Sequence, residues 1–119
     1  MNIYKIHDTD NKLLILYFSK NEIEYKKFKN NKNNIPYIYY IYDNDIANLI
    51  YLYTNKNNRK KGYATKLLKK SIKILKNMNI KKIELDDMSD NNWSEHNIYI
   101  KNGFSYINNF PEPEMIMFL

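Results

Sequence analysis

The chain has no cysteine, no valine and no glutamine, a single arginine, two glycines and two alanines. Without cysteine there is no disulfide framework, no thiolate nucleophile and no thiolate metal site; no metal site of any kind is expected. No apolar run reaches the roughly 18 residues that a membrane helix needs. The opening Met1-Asn2-Ile3-Tyr4 lacks the basic-then-apolar layout of a secretory signal, so the expectation is a soluble, cytoplasmic protein. The scarcity of arginine bears on partners. The net charge is +6 and the pI about 9.3, which favours anionic ligands. Yet one arginine cannot form the bidentate cluster that reads bases or phosphates along a duplex. Nucleic acid is therefore disfavoured, and most of the lysines read as solvating residues.

What is present is enough for a core. At 119 residues the chain reads as one domain, 1–119, able to bury roughly two-thirds of its unfolded surface. A hydrophobic fraction of 44% argues against disorder despite the asparagine runs. Residues 2–7 and 12–18 read as strands around the turn Asp8-Thr9-Asp10-Asn11. Residues 21–29 are ambiguous: Ser19 and Glu22 have capping-box spacing, while Ile23, Tyr25 and Lys27 alternate as in a strand. Asn30 to Asn34 reads as a polar loop. Tyr37–Tyr42 and Ala47–Tyr53 form a hairpin through Asp43-Asn44-Asp45. Beyond a loop, Ala64, Leu67, Leu68, Ser71, Ile72 and Leu75 follow helical spacing, with lysines mainly on the other side. Ile80–Leu85 is a strand that runs into the acidic turn Asp86–Asn91. Asn92, with Glu95 three residues on, caps a helix ending at Asn102, with Gly103 as its left-handed C′ residue. Phe104–Ile107 and Glu114–Leu119 are the last strands. The order predicts a mixed α/β (α+β) domain on one sheet.

The rare residues gather before the strong helix, in Arg59-Lys60-Lys61-Gly62-Tyr63-Ala64. The first amides of a helix have no internal partners. With the helix dipole they make an anion site, and small residues let a phosphate approach closely. Three cations oppose the positive end of the helix, an arrangement that an anion bound there relieves.

Leu52-Tyr53-Thr54, followed by Arg59-x-x-Gly62-x-Ala64 and Leu67-Leu68, resembles the acetyl-CoA motif of the GCN5-related N-acetyltransferases. Asn92, Tyr99, Lys101, Gly103 and Phe104 resemble that family's second signature. The resemblance covers residues 36–119. It implies a mostly antiparallel central sheet of six or seven strands flanked by helices, with the fourth and fifth strands splayed apart. It also implies acetyl-CoA as cofactor. The pantetheine arm would pair with the backbone of Leu52, Tyr53 and Thr54. The pyrophosphate would rest on amides from Lys60 to Thr65 (Lys60, Lys61, Gly62, Tyr63, Ala64 and Thr65), with Arg59 adding charge. Asn92 would contact the arm or cap its helix.

The implied reaction is direct attack of an amine on the thioester, the acceptor being a small amine, a polyamine or a protein amine. Tyr99 matches the family's general acid, against the simpler reading that it is one of twelve tyrosines that pack. Some members carry a glutamate on the fourth strand, six residues before the position of Thr54; here that position is Asn48, which cannot take a proton. Glu84, facing away from Ile83 and Leu85, and Asp86 are the substitutes. Asp87 and Asp90 read rather as solvated turn acids. His96 shares a helical face with Tyr99 and reads as a structural histidine. The first strands leave room for at most one short helix where members usually place one or two, so the acceptor side is either open or completed by a second subunit. A non-catalytic CoA-binding module, or a basic nucleic-acid-binding one, is the alternative.

Overall fold

The computed structural model describes residues 1–54, 62–87, 97–108 and 113–119. Its elements run β1 (Asn2–Asp8), β2 (Leu13–Ser19), α1 (Tyr25–Asn31), β3 (Tyr37–Asp43), β4 (Ile46–Tyr53), α2 (Tyr63–Asn77), β5 (Lys82–Asp86), α3 (Ile98–Lys101), β6 (Ser105–Asn108) and β7 (Glu114–Phe118). The described strands form one seven-stranded sheet in the order β1-β2-β3-β4-β5-β7-β6. Every pairing is antiparallel except β4 with β5. The hairpins follow from their turns. Asp8 Oδ1 accepts from the amides of Asp10 and Asn11, at 3.0 Å each, and Asn44 takes φ 53°, a left-handed position that asparagine tolerates.

The sheet separates two cores. On one face Leu14, Leu16, Ile38, Ala47, Leu49, Ile83 and Leu85 pack under α2 and α3. Helix α2 lies there because its apolar residues form a single stripe: Leu67, Leu68, Ser71 and Leu75 are buried. Ser71 satisfies its hydroxyl in that core by donating to the Leu68 carbonyl at 2.8 Å, which leaves its oxygen to accept from Tyr40 at 2.7 Å. The helix stops where Asn79 turns left-handed, φ 66°. The amide of Ile80 then bonds back to the Leu75 carbonyl at 3.1 Å and that of Asn79 to Lys76 at 3.1 Å.

On the other face Leu13, Ile15, Tyr17, Phe28 and Tyr37 form the second core under α1. The ambiguous segment 21–29 is thus resolved as a helix from Tyr25 onward, and without the Ser19–Glu22 capping box: Ser19 ends β2, and the N-cap is Glu24 with no side-chain cap bond. The expected loop from Asn30 is instead the end of α1 followed by a 3₁₀ turn at Lys32–Asn34. The local helix signal is weak, and tertiary contacts decide. Phe28 wedges between the rings of Tyr17 and Tyr37, at 5.4 and 5.5 Å, a burial worth about 1.5–3 kcal/mol. The Tyr17 hydroxyl donates to the Ile23 carbonyl at 3.1 Å and accepts from its amide at 2.7 Å.

Burial pushes the phenols of Tyr17, Tyr37, Tyr39 and Tyr40 above the usual tyrosine range. A raised folded-state value stabilises the fold fully below the unfolded value near 10 and is lost as pH climbs beyond it. Circular dichroism from pH 8 to 12 is therefore expected to show stability holding to about pH 10 and falling above it; an unchanged midpoint at high pH would contradict the burial of these phenols.

Among the described residues no helix is long and apolar enough to cross a membrane. No group of three or more His, Cys, Asp or Glu there is placed to hold a metal ion.

Candidate active site

Strands β4 and β5 start side by side and then part. Ile46, Ala47 and Asn48 pair with Lys82, Ile83 and Glu84, and among the described residues no pairing of the two strands continues beyond them, although β4 runs on to Tyr53. Strand β4 keeps its other neighbour, β3, as far as Tyr53 opposite Tyr37. Among the described strands none pairs with the other edge of its second half, an edge of the kind to which an extended ligand can add. The register of β3 with β4 jumps from Tyr39↔Tyr51 to Tyr40↔Leu49, which leaves Ile50 as the extra residue of a β-bulge. A bulge bends its strand and raises its twist, which carries β4 away from β5. Leu52 and Tyr53 lie on the part of β4 beyond its pairing with β5, and Thr54 follows it.

Helix α2 begins at the far end of that strand. Its N-cap is Gly62, at φ 78° and ψ 8°, with no side-chain cap bond. A Cβ at Gly62 would meet nothing within 4 Å, so its positive φ, and not crowding by the protein, is what favours glycine there. The first hydrogen bond of the helix runs from the Lys66 amide to the Gly62 carbonyl at 3.1 Å. The amides of Tyr63, Ala64 and Thr65 precede it and bond to none of the described residues. Tyr63 turns its ring back onto Phe18, with centroids 4.6 Å apart, leaving the turn uncovered by its own largest side chain. Among the described residues nothing bonds to the amides of this turn, and, carried by a 15-residue helix, it is suited to a diphosphate. Arg59, Lys60 and Lys61, expected to add to it, lie outside the described residues, as do Asn92, Asp90 and His96.

A third component sits at the C-terminal end of β5. Asp87, expected as a solvated turn acid, is 1% exposed. Its Oδ2 accepts from Asn97 Nδ2 at 2.8 Å and from the Tyr106 hydroxyl at 3.0 Å, and its own amide donates to the Pro113 carbonyl at 2.7 Å. Asn97 in turn caps α3: its Oδ1 accepts from the amides of Tyr99 at 2.8 Å and Ile100 at 3.2 Å. The expected helix from Asn92 to Asn102 is thereby corrected. Asn97 is extended, φ −63° and ψ 130°, and the described helix starts at Ile98. Its end is as expected, with Gly103 left-handed at φ 97° and the amides of Gly103 and Phe104 bonded to the carbonyls of Ile100 and Tyr99 at 3.2 and 3.0 Å. The Asp87–Asn97 pair thus fixes the first turn of α3, and with it Tyr99, beside the end of β5.

Tyr99 packs edge-on against Phe104, with centroids 5.7 Å apart. Burial first, and the Asp87 charge second, hold its phenol well above the usual tyrosine range. Both effects keep it neutral, as a hydrogen-bond donor. It lies on the α2 and α3 side of the sheet, packed against that core.

The opposite side of the gap is acidic. Glu84, Asp86 and Glu114, with Asn48 and Ile50, line a cleft of about 350 Å³. Ile83 and Leu85 are buried while Glu84 is not, as strand alternation requires. Glu84 stands directly across from Asn48, and Lys82 Nζ lies 3.2 Å from its Oε1. Asp86 faces Glu114 across β5 and β7, a like-charge cross-strand pair that is unfavourable by itself. Glu114 and Asp87 carried no local signal of these roles in the sequence, because each acquires its neighbours only through the β5–β7 pairing and the α3 cap.

The model of the acetyltransferase (GNAT) family matches residues 15–104, and members of that family use acetyl-CoA. No curated protein matches the chain by sequence. Among solved structures, the PaiA N-acetyltransferase of Thermoplasma acidophilum, in complex with coenzyme A, superposes with a TM-score of 0.69 at 21% identity, over 91% of this chain and 62% of that one. The chain thus spans less than two-thirds of that protein. A GNAT-family acetyltransferase of Staphylococcus aureus gives a TM-score of 0.66 at 24% identity, over 95% and 72% of the two chains. The ribosomal-protein-S18-alanine N-acetyltransferase of Escherichia coli gives 0.66 at 17%, over 91% and 68%. At these identities the likeness is one of fold.

Proposed function

The chain belongs to the GNAT acetyltransferase family, and from that premise we propose that it is an N-acetyltransferase moving the acetyl group of acetyl-CoA to an amine. The observation that carries this reading is the gap between β4 and β5, with an uncapped helix start at one end, a neutral phenol on one side and three carboxylates on the other. The amides of Tyr63, Ala64 and Thr65 would hold the diphosphate. The edge of β4 beyond its pairing with β5 would hold the pantetheine arm, and a backbone amide there would stabilise the thioester oxygen as it gains charge.

The acceptor arrives as an ammonium in the acidic cleft. Glu84, through water, takes one proton and leaves a neutral amine; Asp86 and Glu114 hold the cation beforehand. The nitrogen attacks the carbonyl carbon, a C–N bond forms and the C–S bond breaks. Tyr99 gives its proton to the departing sulfur, and the second proton lost by nitrogen restores the phenol through water. The sum is one amide, one thiol and one released proton. In this scheme the carboxylate that some members carry on the fourth strand is moved one strand sideways, from the position of Asn48 to its neighbour Glu84.

Two measurements test the proposal together. Acetyl-CoA at 100 times its Kd stabilises by about 2.7 kcal/mol, which for a chain of this size raises Tm by roughly 10 °C. A flat titration to millimolar cofactor would contradict binding. Amine-dependent thiol release tests the chemistry. Asn48 in place of a carboxylate favours the second reading, a CoA-binding module without catalysis, which predicts the thermal shift with no thiol release.

A further inference from the structure

The acidic cleft has a neighbour. On the same face of the sheet a groove of about 470 Å³ runs between α1 and the β3–β4 hairpin, lined by Phe28, Tyr37, Tyr39, Ile41 and Tyr51 among others. Ile50 lines both the groove and the cleft. It is the bulge residue, pushed out of the strand pairing, and it stays 40% exposed beside Ile41 at 42% and Tyr51 at 57%. Three large apolar side chains left in water side by side mark a ligand surface more than a solvated one. Tyr39 and Tyr51 are direct cross-strand partners, and both line the groove. At the far end the groove carries Lys29 and Lys32, and among the described residues no carboxylate lines it.

We propose that the acceptor is a monoamine with a ring-bearing apolar body. The inference rests on the acyltransferase reading above and adds the substrate class. The ammonium sits among Glu84, Asp86 and Glu114, and the body crosses Ile50 to lie against Tyr39 and Tyr51. The charge pattern selects this class over the other amines. A polyamine would set its second ammonium in the groove, where Lys29 and Lys32 repel it and no described acid receives it. A lysine-rich protein tail meets the same lysines and a chain of net charge +6. From Glu84 to Tyr51 is one strand across and about three residues along, roughly 10 Å from the strand spacings. A chain of a few methylenes therefore separates ring from nitrogen.

The test is thiol release by the full chain with acetyl-CoA and four acceptors: 4-phenylbutylamine, propylamine, spermidine and a lysine peptide. The proposal expects kcat/KM for phenylbutylamine to exceed that for propylamine and spermidine by about 10–30-fold, the effect of burying one ring. Tyr51→Ser, at an exposed position, is expected to cut the phenylbutylamine-to-propylamine ratio about tenfold. Lys29→Glu with Lys32→Glu is expected to raise kcat/KM for spermidine. Preference for spermidine or the peptide, or a ratio untouched by Tyr51→Ser, overturns the substrate class and leaves the enzyme reading standing. Acetyl-CoA binding without thiol release from any of the four overturns both.

Discussion

Replacing Tyr99 by phenylalanine is expected to lower kcat by about 10²–10⁴ and to leave acetyl-CoA affinity within about twofold. The substitution removes one oxygen and keeps the ring, so the edge-on contact with Phe104 at 5.7 Å and the packing on the α2-side core persist. The phenol makes no hydrogen bond to a described residue, so its loss strands no partner. What is lost is the proton for the departing sulfur. Because burial and Asp87 hold the phenol above its ordinary range, the alkaline limb of kcat should not reflect its ionisation until well above pH 10. Stopped-flow thiol release at saturating substrates, from pH 6 to 10, measures both quantities. Turnover unchanged in the variant would remove Tyr99 from the acid role.

Replacing Asp87 by alanine is expected to have the largest effect on stability. The carboxylate is 1% exposed, and its removal leaves Asn97 Nδ2 and the Tyr106 hydroxyl without the acceptor they share. The loss of each of these two hydrogen bonds to a buried, charged acceptor costs about 1.5–3 kcal/mol. Together the two losses lower Tm by roughly 10–20 °C. Asp87→Asn keeps the shape and one acceptor oxygen, and should fall about midway. The substitution also reaches the chemistry, because Asn97 caps the turn that carries Tyr99. At a temperature where the variant is folded, kcat should drop while acetyl-CoA affinity, set at the other end of the gap, holds. A Tm within about 2 °C of the parent chain would contradict the buried network.

The contrast between α1 and α2 explains what could be read in advance. Helix α2 was legible because Leu67, Leu68, Ser71 and Leu75 repeat at helical spacing and all four are buried. Gly103 was legible because a left-handed residue that closes a helix has few alternatives to glycine. Helix α1 buries only Phe28, so its helicity depends on Tyr17 and Tyr37, residues that local pattern cannot connect to it. The start of α3 was misplaced for a similar reason. Asn92 with Glu95 has capping-box spacing, whereas Asn97 caps through an alliance with Asp87 ten residues earlier. In the candidate site, Glu84 was separable from Ile83 and Leu85 by alternation alone. Its company was not: Glu114 reaches the cleft only through the β5–β7 register, and Ile50 joins cleft to groove only because of a bulge. The tyrosines of β3 were half legible. Alternation divides Tyr37 and Tyr39 from Tyr40 and Tyr42, and the two pairs do face opposite cores.

Cofactor binding as proposed centres on the opening turn of α2, the seat of a diphosphate. Amide chemical-shift perturbation on the isotopically labelled chain tests this residue by residue. Titration with coenzyme A should move the Tyr63, Ala64 and Thr65 amides most strongly, and titration with pantetheine, which lacks the diphosphate, should leave them in place while shifting residues of β4. Saturation with coenzyme A that leaves those three amides unmoved would contradict the account.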